Sequence, residues 1–290
     1  MATEVVSIID PDAGSGYDYD SLYDWEAAEQ GDLTGVRDEI AVAKCRCTGG
    51  TADTTSITIN GWTTSGTQYI KIWTDPAESY RHNGTWQTGN KYRIDSNSGS
   101  WNTITNEEDY VTIEWLQIDN HETVVGRGIL TTGAYTKILK CIIKSSAATC
   151  TYPTGILLDG TNGIVVNCIV YGFNQSTGNG VYSGNDTNST VYNNTSFNNY
   201  NGFGSSWTET SRVWKNNIGY GNSNVDFGSI LVTYNTCQYN ASEDSSASGT
   251  GCRNNQTFAF VDYSGNNVHL SSTDTGALGY GVNLYNDAIY

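Results

Sequence analysis

The sequence is poor in charge, in proline and in long apolar runs. Only 15% of its 290 residues are Asp, Glu, Lys or Arg, and 3 Pro stand against 32 Gly. Ordinary globular domains carry about 25% charged residues. No run of about 18 apolar residues occurs, which excludes a transmembrane helix of ordinary length. Because no Pro-rich or charge-blocked stretch marks a linker, we expect one continuous domain.

Positive charge is scarce as well. The chain has 14 Lys and Arg against 30 Asp and Glu, a formal net charge of −16. Nucleic acids and anionic membrane surfaces select for Lys and Arg, so we expect neither nucleic acid nor a membrane as a partner. Residues 1–4 lack both a basic start and an apolar run, so they predict no secretory signal. The Asn-, Ser- and Thr-rich composition is nevertheless typical of extracellular proteins, and a chain made in the cytosol and exposed later by another route, such as virus assembly and lysis, fits both observations.

Cysteine and histidine form no recognisable metal motif. The 7 Cys cannot all pair within one chain, and Cys45-x-Cys47 is too closely spaced for a usual zinc site. We expect buried free thiols, no metal site and no cofactor. A structural Ca²⁺ at a turn acid such as Asp186 or Asp226 remains an alternative, because oxygen ligands are plentiful.

Two columns of apolar residues recur at an interval of roughly 25 residues, which indicates a repeat architecture. In the first column an apolar residue follows Gly or Asn: Ile129, Ile156, Val181, Phe203 and Val225. In the second a short β-branched segment begins: Ile113, Ile138, Val165, Val191, Val213 and Val232. Turns dense in Gly, Asn and Ser separate these segments. A unit of this length cannot bury its apolar side alone and must stack on its neighbours.

This repeat predicts an all-β fold, a single-stranded right-handed parallel β-helix with three short strands per coil. Leucines at fixed offsets and an apolar stripe of helical period, which other repeat folds would require, are both missing between Tyr110 and Asn240. Residues 51–265 are assigned to the β-helix and residues 266–290 to a C-terminal closing segment.

The N-terminal part, residues 1–50, is predicted to be a cap that contains a helix at about residues 21–29 and a first strand. Ser21 or Asp20 can cap this helix, and Trp25 lies on its apolar face. An open β-helix end exposes core and unpaired strand edges. We therefore expect the helix to cover that end.

Residues at the same offset from each β-branched start should lie one above another on successive coils, about 4.8 Å apart. Three residues after the starts stand Leu116, Cys141, Cys168, Asn194, Asn216 and Asn235. Stacked Asn side chains can pass hydrogen bonds from coil to coil, which satisfies their polar groups at a buried turn. We predict a structural ladder of Asn194, Asn216 and Asn235, with an active-site amide as the alternative.

A catalytic site on a β-helix needs acidic groups that converge on one exposed face. Hydrolysis uses two carboxyl groups roughly 5 to 9 Å apart. The candidate catalytic residues are Asp119, His121 and Glu122, near residues 107–109 of the previous coil. Positions equivalent to Asp119 on later coils hold no second carboxylate, so a solvated acidic turn is the favoured interpretation and we expect no enzyme.

Two further kinds of residue suit polysaccharide chemistry. Arg127 and Arg212 could act as the base of a lyase, although neither column adds an acidic triad for calcium. Exposed aromatic rings could stack on sugars, and the candidates lie in the early coils and their loops: Trp62, Trp73, Trp86 and Trp101. Packing beneath the N-terminal helix is the alternative for these rings.

Two segments resemble a known family. Gly16-Tyr17-Asp18-Tyr19, followed by Leu22, Trp25-Glu26-Ala27-Ala28 and Asp32-Leu33-Thr34, resembles the opening of β-helix structural proteins encoded by tailed bacteriophages. Val268-His269-Leu270-Ser271-Ser272, with Gly279 and Gly281, is similar to the closing segment of right-handed β-helix repeat proteins. The architecture implied is that of tailspikes and pectate lyases.

The resemblance, the acidic surface and the few convergent titratable groups together favour a non-enzymatic virion protein, extracellular after lysis. We expect a rod that decorates the capsid or is attached to the tail, forms a homotrimer and contacts the capsid shell or the tail. The alternative is a receptor-binding tailspike that binds or depolymerises host surface polysaccharide, with host glycan as its partner.

Overall fold

The computed structural model describes residues 2–12, 16–77, 80–96, 99, 101–147, 149–206, 211–228 and 235–284. These residues form a parallel β-helix with three walls, as the repeat predicts. Within the same ranges, no helix is long and apolar enough to span a membrane.

The walls consist of strands that pair in parallel with the coil before and the coil after. The first wall contains β1 (Thr3–Ile9), β2 (Glu39–Cys45), β4 (Ile70–Thr74), β7 (Val111–Glu114), β10 (Lys137–Leu139), β13 (Ile164–Val166), β16 (Thr190–Tyr192), β19 (Val213–Lys215) and β22 (Thr236–Gln238). The second contains β5 (Arg93–Ser96), β8 (Gln117–Asn120), β11 (Ile142–Ser145), β14 (Ile169–Tyr171), β17 (Thr195–Phe197), β20 (Ile218–Tyr220) and β23 (Ala241–Ser242). The third contains β3 (Ile57–Ile59), β6 (Asn102–Asn106), β9 (Arg127–Thr131), β12 (Thr154–Leu158), β15 (Asn179–Ser183), β18 (Asn201–Ser205) and β21 (Val225–Gly228). An antiparallel pair, β24 (Phe260–Asp262) and β25 (Asn267–Leu270), lies outside the walls.

Both predicted columns lie inside the tube over the middle coils. The first wall stacks Ile113, Ile138, Val165 and Val191, and the third stacks Ile129, Ile156, Val181 and Phe203. In the later coils both predicted columns are out of register with the structure. Trp214 rather than Val213 pairs with Val191, and Phe227 rather than Val225 pairs with Phe203. Aromatic residues fill these inward positions, so the β-branched signal no longer marks the register. The predicted member Val232 lies outside the described residues.

Glycine precedes the inward residue of the third wall because neighbouring backbone approaches closely there. A Cβ at Gly155 would lie 2.6 Å from the carbonyl oxygen of Gly180 on the next coil. No side chain fits at that distance, which explains why Gly recurs before the apolar residue of the first column.

A left-handed residue turns the chain between the first and second walls. The residues at this position on successive coils all have φ between +55° and +62°: Trp115, Lys140, Asn167, Asn193, Asn216 and Tyr239. Asn tolerates this conformation better than most residues. Asn216 therefore belongs to the outer turn, where its side chain exchanges two 2.9 Å hydrogen bonds with the backbone of Val282.

The amide ladder exists, but its later members differ from those predicted. Oδ1 of Asn217 accepts from the backbone N–H of Asn194 at 3.0 Å, and Oδ1 of Asn240 accepts from that of Asn217 at 3.0 Å. Asn194 belongs to the ladder, whereas Asn216 and Asn235 do not. Asn235 lies before β22, where its Oδ1 accepts the backbone N–H of Arg212 at 3.2 Å. The error follows from the register slip, because the ladder is three residues after Trp214 and Cys237.

Helix α1 (Leu22–Glu29) lies where the sequence predicts a capping helix, and its apolar side chains pack into the core of the early coils. Ser21 caps it by accepting the backbone N–H of Asp24 at 3.0 Å. Leu22 and Trp25 are buried, and the Trp25 ring lies 5.4 Å from that of Trp62. A short turn, Leu33–Arg37, follows the helix and is kinked at Gly35, whose backbone is not helical.

The other end is closed by the polar segment after β23 rather than by residues 266–284, the described part of the predicted closing segment 266–290. Ala247 of this segment is buried in the core, and residues 250 and 253 extend the last coil by bridges to Gln238 and Ala241. The described part of 266–290 lies along the outside instead. Val268 packs on the second wall, and Leu284 packs on the first. The predicted closing segment is thus a strap around two walls.

Candidate functional site

The outer face of the third wall carries an open groove of about 340 Å³. Side chains alternate inward and outward along a strand, so Leu157 and Tyr182, which directly follow members of the buried column, face this groove. Arg127, Thr154 and Asn179 are register partners on β9, β12 and β15, and Tyr182 follows on β15. The corners before and after the strands supply Tyr152, Asp159 and Thr177.

The groove presents polar groups with few protein partners. Within the described part of the chain, the guanidinium of Arg127 has no hydrogen-bond or ion-pair partner. The carboxylate of Asp159 accepts the backbone N–H of Asn185 at 3.0 Å. Burial raises the pKa of the Tyr182 phenol, against the opposing charge of Arg212. That phenol is protonated at neutral pH and can donate a hydrogen bond.

An apolar ridge flanks the groove at the corner between the second and third walls. We define the ridge as Trp101, Val124 and Tyr152, whose exposed fractions are 62%, 55% and 58%. Backbone hydrogen bonds place them on successive coils, since Trp101 O accepts from Arg127 and Val124 O from Thr151. Trp101 and Tyr152 are therefore two coils apart, about 10 Å along the axis. Exposed rings beside a polar groove suit stacking on sugars.

The other three tryptophans proposed from the sequence are not open platforms. Trp62 is buried in the core against Trp25, so the prediction of a surface ring is wrong there. Trp73 and Trp86 are half-buried, and lysine ammonium groups cover their rings at 4.0 and 4.5 Å from the centroids. Of the four, Trp101 has the exposed ring.

The predicted catalytic residues separate into two groups. Asp119 and His121 meet on the second wall, where Asp95 is the register partner of Asp119. The Nε2 atom of His121 lies 2.8 Å from Asp95 Oδ1 and 3.3 Å from Asp119 Oδ2, and the Lys144 ammonium also contacts Asp119. Glu122 points away and is buried, and its Oε1 accepts the Ser96 hydroxyl at 3.1 Å.

A second carboxylate does therefore stack beside Asp119, contrary to the sequence prediction, because Asp95 comes from the earlier coil. Residues 107–109 lie elsewhere, at the corner after β6, where Glu108 accepts the backbone N–H of Trp62 at 2.9 Å. The His121 ring fills the space between the two carboxylates that a glycosidic bond would need. This arrangement is poorly suited to hydrolysis.

The remaining candidates from the sequence are held by contacts inside the protein. Arg212 is fully buried and forms an ion pair with Asp186 at 3.2 Å, so it cannot reach a substrate. Asp226 accepts the backbone N–H of Glu243 at 2.8 Å, and burial raises its pKa to about 6. Both turn acids receive hydrogen bonds from protein donors.

No protein-family model and no curated protein matches this sequence. Among solved structures, pectate lyase Pel9A is similar with a TM-score of 0.51 and 14% identity, over 87% of this chain and 58% of that chain. The enzymatically active domain of tailspike protein 2 from bacteriophage CBA120 gives a TM-score of 0.36 and 12% identity, over 78% and 36%. This chain thus spans little more than half of the lyase and about a third of the tailspike domain. The likeness to the lyase shows the fold: the chain is a right-handed parallel β-helix.

Proposed function

We propose that the protein is a non-enzymatic β-helix rod that binds an extended polysaccharide in the groove of the third wall. The observation that supports this most is the combination of the groove and its ridge. Arg127, Asp159 and Tyr182 offer a cation, an acceptor and a donor, and the exposed rings of the ridge lie beside them. These groups bind sugar hydroxyls and stack on sugar rings.

The guanidinium of Arg127, unpartnered among the described residues, favours a polysaccharide that contains acidic sugars. A guanidinium without a protein partner can hold a carboxylate by two parallel hydrogen bonds. Arg127, at the start of β9, lies between Trp101 of the ridge and Thr154 of the groove on the next coil. A uronic acid ring that stacks on the ridge can therefore direct its carboxylate to Arg127.

The same groups support binding rather than cleavage. Among the described residues that line the groove, Asp159 is the one carboxylate, whereas hydrolysis uses two. The positive charge and planar fork of an arginine guanidinium favour a role in holding an anion over a role as a base.

We place this rod on a tailed-phage particle, as a homotrimer that contacts the capsid shell or the tail and meets host glycan after lysis. The resemblance of residues 16–34 to the opening of phage β-helix proteins supports this setting. Light scattering should give three times the protomer mass of 31.5 kDa, and the protein should sediment with intact particles. A monomer that stays in the soluble fraction would contradict the setting without touching the glycan proposal.

Binding can be measured by calorimetry with polygalacturonate and alginate, with dextran as the neutral control polymer. Trp101→Ala and Tyr152→Ala should each weaken binding by about 10-fold, the equivalent of about 1.4 kcal/mol, because each removes a stacking ring. Arg127→Met should weaken binding to the acidic polymers. Tyr23→Ala is the matched control, because Tyr23 is 51% exposed on helix α1, away from the groove.

Two results would overturn the proposal. Equal affinity for Trp101→Ala and Tyr23→Ala would exclude the ridge as the binding surface. Shortening of the polymer, seen by size exclusion and abolished in Asp159→Asn, would replace the proposal with the tailspike depolymerase alternative. If the ridge forms the trimer contact instead, Trp101→Ala will dissociate the trimer.

A further inference from the structure

We propose that Asp95, Asp119 and His121 form a binding site for one divalent transition-metal ion on the second wall. The site is independent of the polysaccharide groove. Each residue offers one ligand atom, and the three atoms lie within 4.8 Å of one another.

The strand register assembles this site. Asp95 on β5 and Asp119 on β8 are neighbours on adjacent coils, so their carboxylates stack. His121 leaves β8 with its backbone N–H bonded to Ser96 O at 3.1 Å, which holds the ring beside the two carboxylates. The fold therefore fixes the relative positions of all three ligands before any ion binds, which lowers the entropy cost of binding.

Two atoms of the cluster have unmet bonding capacity. Nε2 of His121 faces both carboxylates but makes no hydrogen bond of acceptable geometry to any described residue. The Asp119 side chain is 6% exposed, and its Oδ1 also has no hydrogen-bond partner within the described ranges. A buried polar atom without a partner is costly, and a cation bound at Nε2 of His121 would remove that cost for the imidazole.

The ligand types select the class of metal. An imidazole nitrogen with two carboxylates suits Zn²⁺, Co²⁺ or Ni²⁺, whereas Ca²⁺ and Mg²⁺ take oxygen ligands. The side chains of Asp95 and His121 are 41% and 31% exposed, which gives an ion access and leaves positions for water.

Lys144 competes for the same carboxylate. Its ammonium contacts Asp119 and donates to the Ser146 hydroxyl at 3.0 Å, and it lies 4.5 Å from the centre of the Trp86 ring. A metal ion bound to this carboxylate is repelled by the ammonium charge beside it. Removing the Lys144 charge should therefore tighten metal binding, a result that no general loss of structure can mimic.

The test is calorimetric titration of chelator-treated protein with Zn²⁺, followed by Co²⁺ absorption spectroscopy. We expect one ion per chain. Asp95→Asn and His121→Gln should each weaken binding by about 10-fold or more, since even residues outside the ligand shell change affinity 10–100-fold. Lys144→Met should strengthen binding by about 10-fold. Asp159→Asn, which alters a carboxylate of the groove, should leave the affinity unchanged.

The spectrum separates this site from the 7 cysteines. Co²⁺ bound by nitrogen and oxygen lacks the near-ultraviolet charge-transfer band of a thiolate complex. A thiolate band, or an affinity that Asp95→Asn and His121→Gln leave unchanged, would place the ion elsewhere and overturn the proposal. So would the absence of both heat and thermal stabilisation at millimolar Zn²⁺ in the wild-type protein and in Lys144→Met.

Discussion

Replacing Asn217 by Leu tests how much the amide ladder stabilises the late coils. Oδ1 of this fully buried side chain accepts the backbone N–H and the side-chain amide of Asn194, both at 3.0 Å. Its own amide donates to Val191 O at 2.8 Å. Leu has a similar size but leaves both the Asn194 N–H and the Val191 carbonyl without these partners. At about 1–3 kcal/mol for each unsatisfied buried group, the free energy of unfolding should fall by about 2–6 kcal/mol.

Equilibrium urea unfolding, followed by circular dichroism, measures this change. The matched control is Asn216→Gly, one residue earlier, where Gly keeps the left-handed backbone without strain. This control removes the outer hydrogen bonds to Val282 and should cost about 1 kcal/mol. Equal losses in the two variants, or a wild-type midpoint for Asn217→Leu, would refute the assignment of the ladder to Asn217.

Buried titratable groups give three further predictions, each measured by urea unfolding. Arg212→Met should lower the free energy of unfolding by about 3–5 kcal/mol, because it leaves Asp186 and three backbone carbonyl oxygens without their donor. Removing both side chains of the ion pair should restore part of this stability. Burial raises the pKa of Asp226 from 3.8 to about 6, so between these pH values the folded state binds more protons than the unfolded state. The free energy of unfolding should therefore fall as pH rises through this range. Asp226→Asn should remove this pH dependence. Burial lowers the pKa of His82 from 6.5 to about 4, so between these pH values the unfolded state binds more protons than the folded state. The free energy of unfolding should therefore fall as pH drops through this range. His82→Gln should abolish this contribution.

The sequence predicts the fold well where the inward residue is β-branched and fails where it is not. Ile138 and Val165 mark the register because only buried strand positions keep such residues at a constant interval. Trp214 occupies the same inward position, but its neighbour Val213 carries the expected residue type, and this one-residue slip moved the ladder prediction to Asn216. The strap along the first and second walls could not be predicted from a repeat in the sequence, because its contacts depend on tertiary packing.

The candidate sites were predictable only in part for a related reason. Trp101 was identified because a Trp is conspicuous, whereas Tyr152 and Tyr182 are ordinary in a chain with 20 Tyr. The position directly after the Ile129 column, which holds Tyr182, and the position two residues before it, which holds Arg127, are the signals that could reveal the groove. Asp95 was missed because the early coils are irregular, and only strand pairing places it beside Asp119.

Hydrogen–deuterium exchange with and without bound polygalacturonate tests most directly whether the third wall is the polysaccharide-binding face. The proposed function predicts slower exchange in peptides that carry Trp101, Tyr152 and Thr177, at the corner beside the groove. Exchange in peptides that carry Tyr23 or Tyr135, which lie away from the groove, should stay unchanged. Protection confined to those two regions, or no protection at a saturating concentration of polymer, would contradict the assignment of the groove.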